Sequence, residues 1–241
     1  MTTYDPKKSL WYNPAIEYLI DANIIEYDIR DAGFSIVREY QLLPAEKIRE
    51  LEQLPKGMGR HIEIGKLQRD NKAFSEALNR GFAEVRSVFI RYNSIEDNDI
   101  ICVKKDAIFT TRPMNRTKFG QVVFVDKNSY TTYIRLSMNQ NIEIMYSNAT
   151  GDITVKGISE VSLNKHRLYL IQFLKDILPL IELRDGKAKR TFMDFVTDYK
   201  AQRLDQGYYL EFNNMSSNFA PAYNFMKLIV PLGQIINREV E

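Results

Sequence analysis

The sequence predicts an α+β protein, with a mixed or antiparallel sheet, helices packed on it and a helical C-terminal part. Three observations lead there. Residues 24–29 and 100–111 are short apolar segments rich in Ile, Val, Tyr and Phe, the composition of buried strands. Residues 72–92 place Phe74, Leu78, Phe82, Val85 and Phe89 three to four positions apart, with charged residues between them, which is the stripe of an amphipathic helix. From 119 to 158 the apolar period changes to two, and from 160 onward it returns to the helical one.

Taken in order, residues 1–23 mix Pro, Trp and Tyr with a helical-looking stretch at 14–20 that is expected to pack against the first strand. After the strand at 24–29, Gly33 reads as a break. A helix follows over 45–54, with Pro44 suited to a first-turn position and Leu51 and Leu54 on one face. The residues at 55–59, with Pro55, Gly57 and Gly59, end it. Beyond the 72–92 helix, Asn93, Ser94, Asp97 and Asn98 mark a turn before strands at 100–104 and 107–111, separated by the charged break Lys104, Lys105 and Asp106. Strands at 121–125, 130–136, 142–146 and 152–156 are separated by turns at 126–129, 138–141 and 147–151, which predicts a meander. Leu163, Leu170, Phe173, Leu174 and Ile177 precede Pro179 in one helix, and Phe192, Phe195, Val196 and Tyr199 mark another. The stretch from Tyr208 reads as irregular. No linker divides the chain sharply; the expected division is residues 1–160 and 161–241.

Composition narrows the function classes. With 241 residues, 44% hydrophobic and 12% aromatic, the chain has material for a substantial core. The 33 Lys and Arg nearly cancel the 31 Asp and Glu, so no global field points to nucleic acid or membrane, and any basic surface must be local. The single cysteine, Cys102, cannot form an intramolecular disulfide and reads as a buried thiol of a cytoplasmic protein. No apolar run is long enough to span a membrane, and His61 and His166 do not have zinc spacing.

The informative residues are the carboxylates inside the two apolar segments. An unpaired carboxylate among Ile, Tyr, Val and Phe costs several kcal/mol, so such residues have a partner or a metal. Asp28 and Asp106 are the candidates, whereas Asp31 falls on the opposite face by alternation. Strands about 4.8 Å apart would hold two such carboxylates at a separation suited to paired divalent ions.

These residues resemble the palm region of family B (phage-type) DNA polymerases. The run E-Y-D-I-R-D-A-G-F-S at 26–35 looks like motif A, and K-K-D-A-I-F at 104–109 looks like motif C, with Asp106 matching the second aspartate of that turn. The segments 126–130 and 155–158 look like the lysine–tyrosine and lysine–glycine elements, and 60–69 occupies the place of the basic motif that meets the triphosphate. The resemblance implies a palm-like core over about 24–160 and template-directed nucleotidyl transfer. It implies Mg²⁺ or Mn²⁺ on Asp28 and Asp106, nucleotide phosphates on Arg60, Lys66, Arg69, Lys104 and Lys105, and nucleic acid on Lys127, Tyr130 and Lys156. Nucleic acid, a nucleoside triphosphate and other polymerase subunits are the implied partners. The sequence also departs from the pattern. Lys104 stands where motif C has its first aspartate, Gly33 where motif A has its sugar-discriminating tyrosine, and Phe34 where it has proline; the chain is too short for exonuclease, fingers and thumb.

The residues alone leave other readings open. Asp28 and Asp106 could be strand-end carboxylates paired with Arg30, Arg38, Lys104 or Lys105, Lys104 and Lys105 a solvated turn, and 60–69 a solvated helix face. Glu63 and Lys66 are three apart where a metal-dependent nuclease needs two. Tyr130, Tyr133, Arg135 and Lys127 could form a single-strand-binding face or simply a half-buried sheet. A catalytically inactive palm-like module, or an assembly subunit without nucleotide chemistry, answers to the same sequence.

Overall fold

A computed structural model describes residues 3–136, 142–157, 160–205 and 223–240, with side chains described outside 160–170 and 223–229. The fold is α+β, with two antiparallel sheets in two compact units. The first comprises residues 1–16 and 23–129, and the second residues 17–22 and 130–241. The strands over 130–156 therefore group with the C-terminal helices.

In the first unit the sheet is built from β1 (Leu10–Tyr12), β3 (Ile24–Ile29), β4 (Ile100–Lys104), β5 (Ala107–Thr110), β6 (Lys118–Phe119) and β7 (Val122–Tyr130), in the order β1-β4-β5-β3-β7-β6. Four helices, α1 (Ala32–Glu39), α2 (Ala45–Gln53), α3 (Met58–Asp70) and α4 (Lys72–Tyr92), connect β3 to β4. Strand β5 is antiparallel to both β3 and β4 and lies between them, so β3, the helices and β4 form a split β-α-β unit.

Alternation assigns the faces of this sheet. Ile25, Tyr27 and Ile29 of β3, Val103, Ile108, Val122 and Phe124 join one core with Phe34 and Ile36 of α1, Ile64 of α3, and Leu78, Phe82, Val85 and Phe89 of α4. Glu26 and Asp28 consequently point to the other face. The α4 stripe is core, as its spacing requires, and Asn71 caps it by accepting the Phe74 backbone N–H at 3.0 Å. Gly81 lies where α4 meets α1: a Cβ there would come within 2.5 Å of the Ile36 side chain. Gly81→Ala should therefore lower stability by about 1–3 kcal/mol through overpacking, despite alanine's better helix propensity. Equilibrium urea unfolding checks this.

The second unit pairs β2 (Tyr18–Leu19), β8 (Thr132–Leu136), β9 (Ile142–Tyr146) and β10 (Ile153–Lys156) in the order β10-β9-β8-β2. Its core joins Ile134, Ile144 and Val155 to Phe173, Leu174 and Ile177 of α5 (Glu160–Glu182), Tyr199 of α6 (Lys187–Lys200) and Leu232 and Ile236 of α7 (Tyr223–Glu239).

Several local expectations need correction. Residues 14–20 are not helical but turn into β2, which pairs with β8. Gly33 does not break the chain: it lies inside α1, where its small size lets the Ile64 side chain approach. The turn expected at 126–129 is instead the exposed half of β7, because Lys127 and Asn128 find carboxylate partners on the neighbouring β3. The expected irregular stretch after Tyr208 becomes α7 from Tyr223 to Glu239, while 206–222 and the turn at 138–141 lie outside the described residues.

Candidate active site

The hairpin of β4 and β5 turns at Lys105 and Asp106, and Asp28 of β3 is in register with Ala107, the next residue along. The two aspartates are thus neighbours across adjacent strands. The turn is held from three sides. The Lys105 backbone N–H donates to the Ser9 carbonyl at 2.5 Å, Arg86 of α4 donates from Nη1 to the Lys105 carbonyl at 2.6 Å, and the Ile29 N–H donates to the Asp106 carbonyl at 2.9 Å. Lys105 itself takes a left-handed conformation with φ of 37°. That is a strained geometry for a side-chain-bearing residue, and the three hydrogen bonds hold it in place.

Burial and the negative charge of Asp28 raise the Asp106 carboxyl above its ordinary range, against weaker opposition from Lys105 and Lys127. Asp28 is not alone. Lys127 of β7 donates from Nζ to Asp28 Oδ2 at 2.6 Å, and this hydrogen bond raises the lysine, with further contributions from the charges of Asp28, Glu26 and Asp106. Glu26, two residues before Asp28 on the same face, is only 3% exposed and accepts from Asn128 Nδ2 at 2.7 Å. The result is a partly desolvated centre holding three carboxylates and one ammonium on a rigid sheet.

Of the other basic candidates, Lys104 and Lys105 flank this centre, but their ammonium groups lie over the Phe109 and Phe82 rings at 4.8 and 5.3 Å. Arg60 is a fold anchor. It is buried, donates to the Leu51 and Glu52 carbonyls, pairs with Asp31 at 2.5 Å and stacks over Phe34, tying α1, α2 and α3 together. Its fork is engaged within the helical layer, away from Asp28. Lys66 and Arg69 are exposed on α3 and pair with Glu63 and Asp70, as on a solvated helix face. The phosphate clamp expected of 60–69 is therefore not gathered at the aspartate pair. Tyr130 is a buried residue at the end of β7, and Lys156 lies on β10 in register with Glu143.

Sequence reasoning missed Glu26, Asn128 and Arg86. Glu26 carried a signal, since it shares the parity of Asp28 along β3. Arg86 carried one too: it sits four residues after Phe82 and three before Phe89, so its charge falls within the apolar stripe of α4.

Among the described residues, no group of three or more His, Cys, Asp or Glu side chains is arranged to hold a metal ion. No helix there is long and apolar enough to cross a membrane. The family model for the bacteriophage PBS1 gene 130 protein matches residues 1–225, so this chain belongs to that bacteriophage protein family. No curated protein matches the sequence.

Proposed function

We propose that this member of a bacteriophage protein family carries a palm-type centre for template-directed nucleotidyl transfer, as a minimal or split polymerase subunit. The observation that carries the reading is the juxtaposition of Asp28 with Asp106, one carboxylate on a central strand and the other at the turn of the hairpin paired beside it. The split β-α-β order, with acidic strand, helices, then acidic hairpin, is the order that the palm resemblance calls for.

The donor set suits Mg²⁺ or Mn²⁺. Both ions take hard oxygen ligands, and Mg²⁺ is commonly held by one or two carboxylates, with substrate phosphates and water completing the shell. Two neighbouring carboxylates, one of them raised by burial and by the charge of the other, gain from a shared cation. Asp28 and Asp106 would hold it, and the chemistry it supplies is activation of the primer hydroxyl and neutralisation of the leaving phosphates. The chain's own residues do the positioning. Ser9, Arg86 and Ile29 fix the Asp106 turn, Asn128 orients Glu26, and Lys105 and Lys127 supply positive charge for a polyanionic substrate.

Two observations favour a second reading, in which the centre is inactive and the module binds nucleic acid or a replication partner. Lys104 stands in place of a carboxylate, and Lys127 already neutralises Asp28. Primer extension with Mg²⁺ or Mn²⁺ separates the two: synthesis that depends on Asp106 supports the enzyme. Salt-sensitive nucleic-acid binding without synthesis supports the module.

A further inference from the structure

We infer that Lys127 is the resident counter-ion of the Asp28–Asp106 pair, and that a divalent cation reaches these carboxylates only by displacing its ammonium group. This deepens the palm reading and rests on it. Lys127 Nζ sits 2.6 Å from Asp28 Oδ2, so one of the two Asp28 carboxylate oxygens already holds a cation. The placement is built into the sheet, because β7 runs beside β3 and continues through residues whose composition would otherwise favour a turn.

The two ends of this contact differ in mobility. The Asp28 side chain is 19% exposed on a central strand, whereas the Lys127 side chain is 52% exposed on a flexible stem, so the lysine is the partner that can swing away. Glu26 adds its field at Lys127 and is held by Asn128 from the same strand. Lys105 does not compete for the position, since its ammonium lies over the Phe82 ring. A monovalent ammonium and a divalent ion cannot share Asp28 without strong repulsion at such short range. Lys127 released from Asp28 would be free to meet a polyphosphate or nucleic-acid backbone, which links cation entry to the arrival of a polyanion.

Mn²⁺ titration of the full chain without nucleotide, followed by electron paramagnetic resonance, tests this. Lys127→Met should bind Mn²⁺ about tenfold more tightly than the unmodified protein, a difference of about 1.4 kcal/mol. Lys127→Arg, which keeps the positive charge, should remain weak, and Asp28→Asn should abolish tight binding in the Lys127→Met background. Equal or weaker Mn²⁺ binding by Lys127→Met, with binding still dependent on Asp28, overturns the inference and leaves the palm reading standing. Absence of saturable Mn²⁺ binding in every variant overturns the inference, and absence that persists with a non-hydrolysable nucleoside triphosphate present overturns the palm reading as well.

Discussion

Asp106→Asn should reduce Mn²⁺- or Mg²⁺-dependent nucleotide incorporation by about 10³-fold or more, the scale set by losing several kcal/mol of transition-state charge stabilisation. The same substitution should make the protein more stable near neutral pH. Burial and the Asp28 charge raise the Asp106 carboxyl in the folded state, so folding favours its protonated form. The stability from that protonated form is fully present in acid, below the ordinary carboxylate range, and is lost as pH rises through the raised folded value. Asparagine carries no such charge, so the variant should melt higher than the unmodified protein at pH 7, and the gap should close as pH falls towards 3. Thermal melts across that range, beside primer extension, check both halves. A centre that trades stability for chemistry behaves in this way, whereas a carboxylate retained for stabilising contacts would show the opposite sign.

Arg86→Met should destabilise the first unit by about 2–4 kcal/mol. Arg86 is 1% exposed and donates to the Pro6 carbonyl from Nε at 3.2 Å and Nη2 at 2.7 Å, as well as to the Lys105 carbonyl at 2.6 Å. Methionine fills similar volume but leaves these part-buried carbonyl groups without their donor, at the lower end of the roughly 1–3 kcal/mol that an unsatisfied buried group costs. It also frees the N-terminal segment and the turn that precedes Asp106. A fall in melting temperature on the order of 10 °C would follow for a chain of this size. The conservative change Arg86→Lys should recover only part of the loss, because a single ammonium cannot span both carbonyls as the fork does. Melting curves for the two variants test this, and an unchanged melting temperature for Arg86→Met would contradict it.

The parts of this centre differ in how far the sequence revealed them. Asp28 stood out because a carboxylate in an apolar strand is locally anomalous, and Asp106 because it ends a charged break between two apolar strands; both signals survive without knowledge of the neighbours. The long α4 was legible for the same reason, its stripe being a local pattern. Lys127 and Asn128 were misread as a turn because D-K-N-S is turn-like in isolation; only pairing beside Glu26 and Asp28 makes it strand. Arg60 shows the converse. Its positive charge suggested a phosphate ligand, but Asp31, Leu51 and Glu52, brought together by the packing of three helices, turn it into an internal anchor. Gly33 looked like a break since glycine disfavours helices, yet the close approach of Ile64 explains a glycine within α1. In each misreading the deciding partner is distant in sequence.

The most direct test is a crystal structure of the full chain soaked with Mn²⁺ and a nucleoside triphosphate analogue, using anomalous scattering to locate the metal. The palm reading predicts manganese bound by the carboxylates of Asp28 and Asp106, analogue phosphates completing its shell, and Lys127 withdrawn from Asp28. Saturating Mn²⁺ with no anomalous density at the pair, and Lys127 still bonded to Asp28, would contradict it.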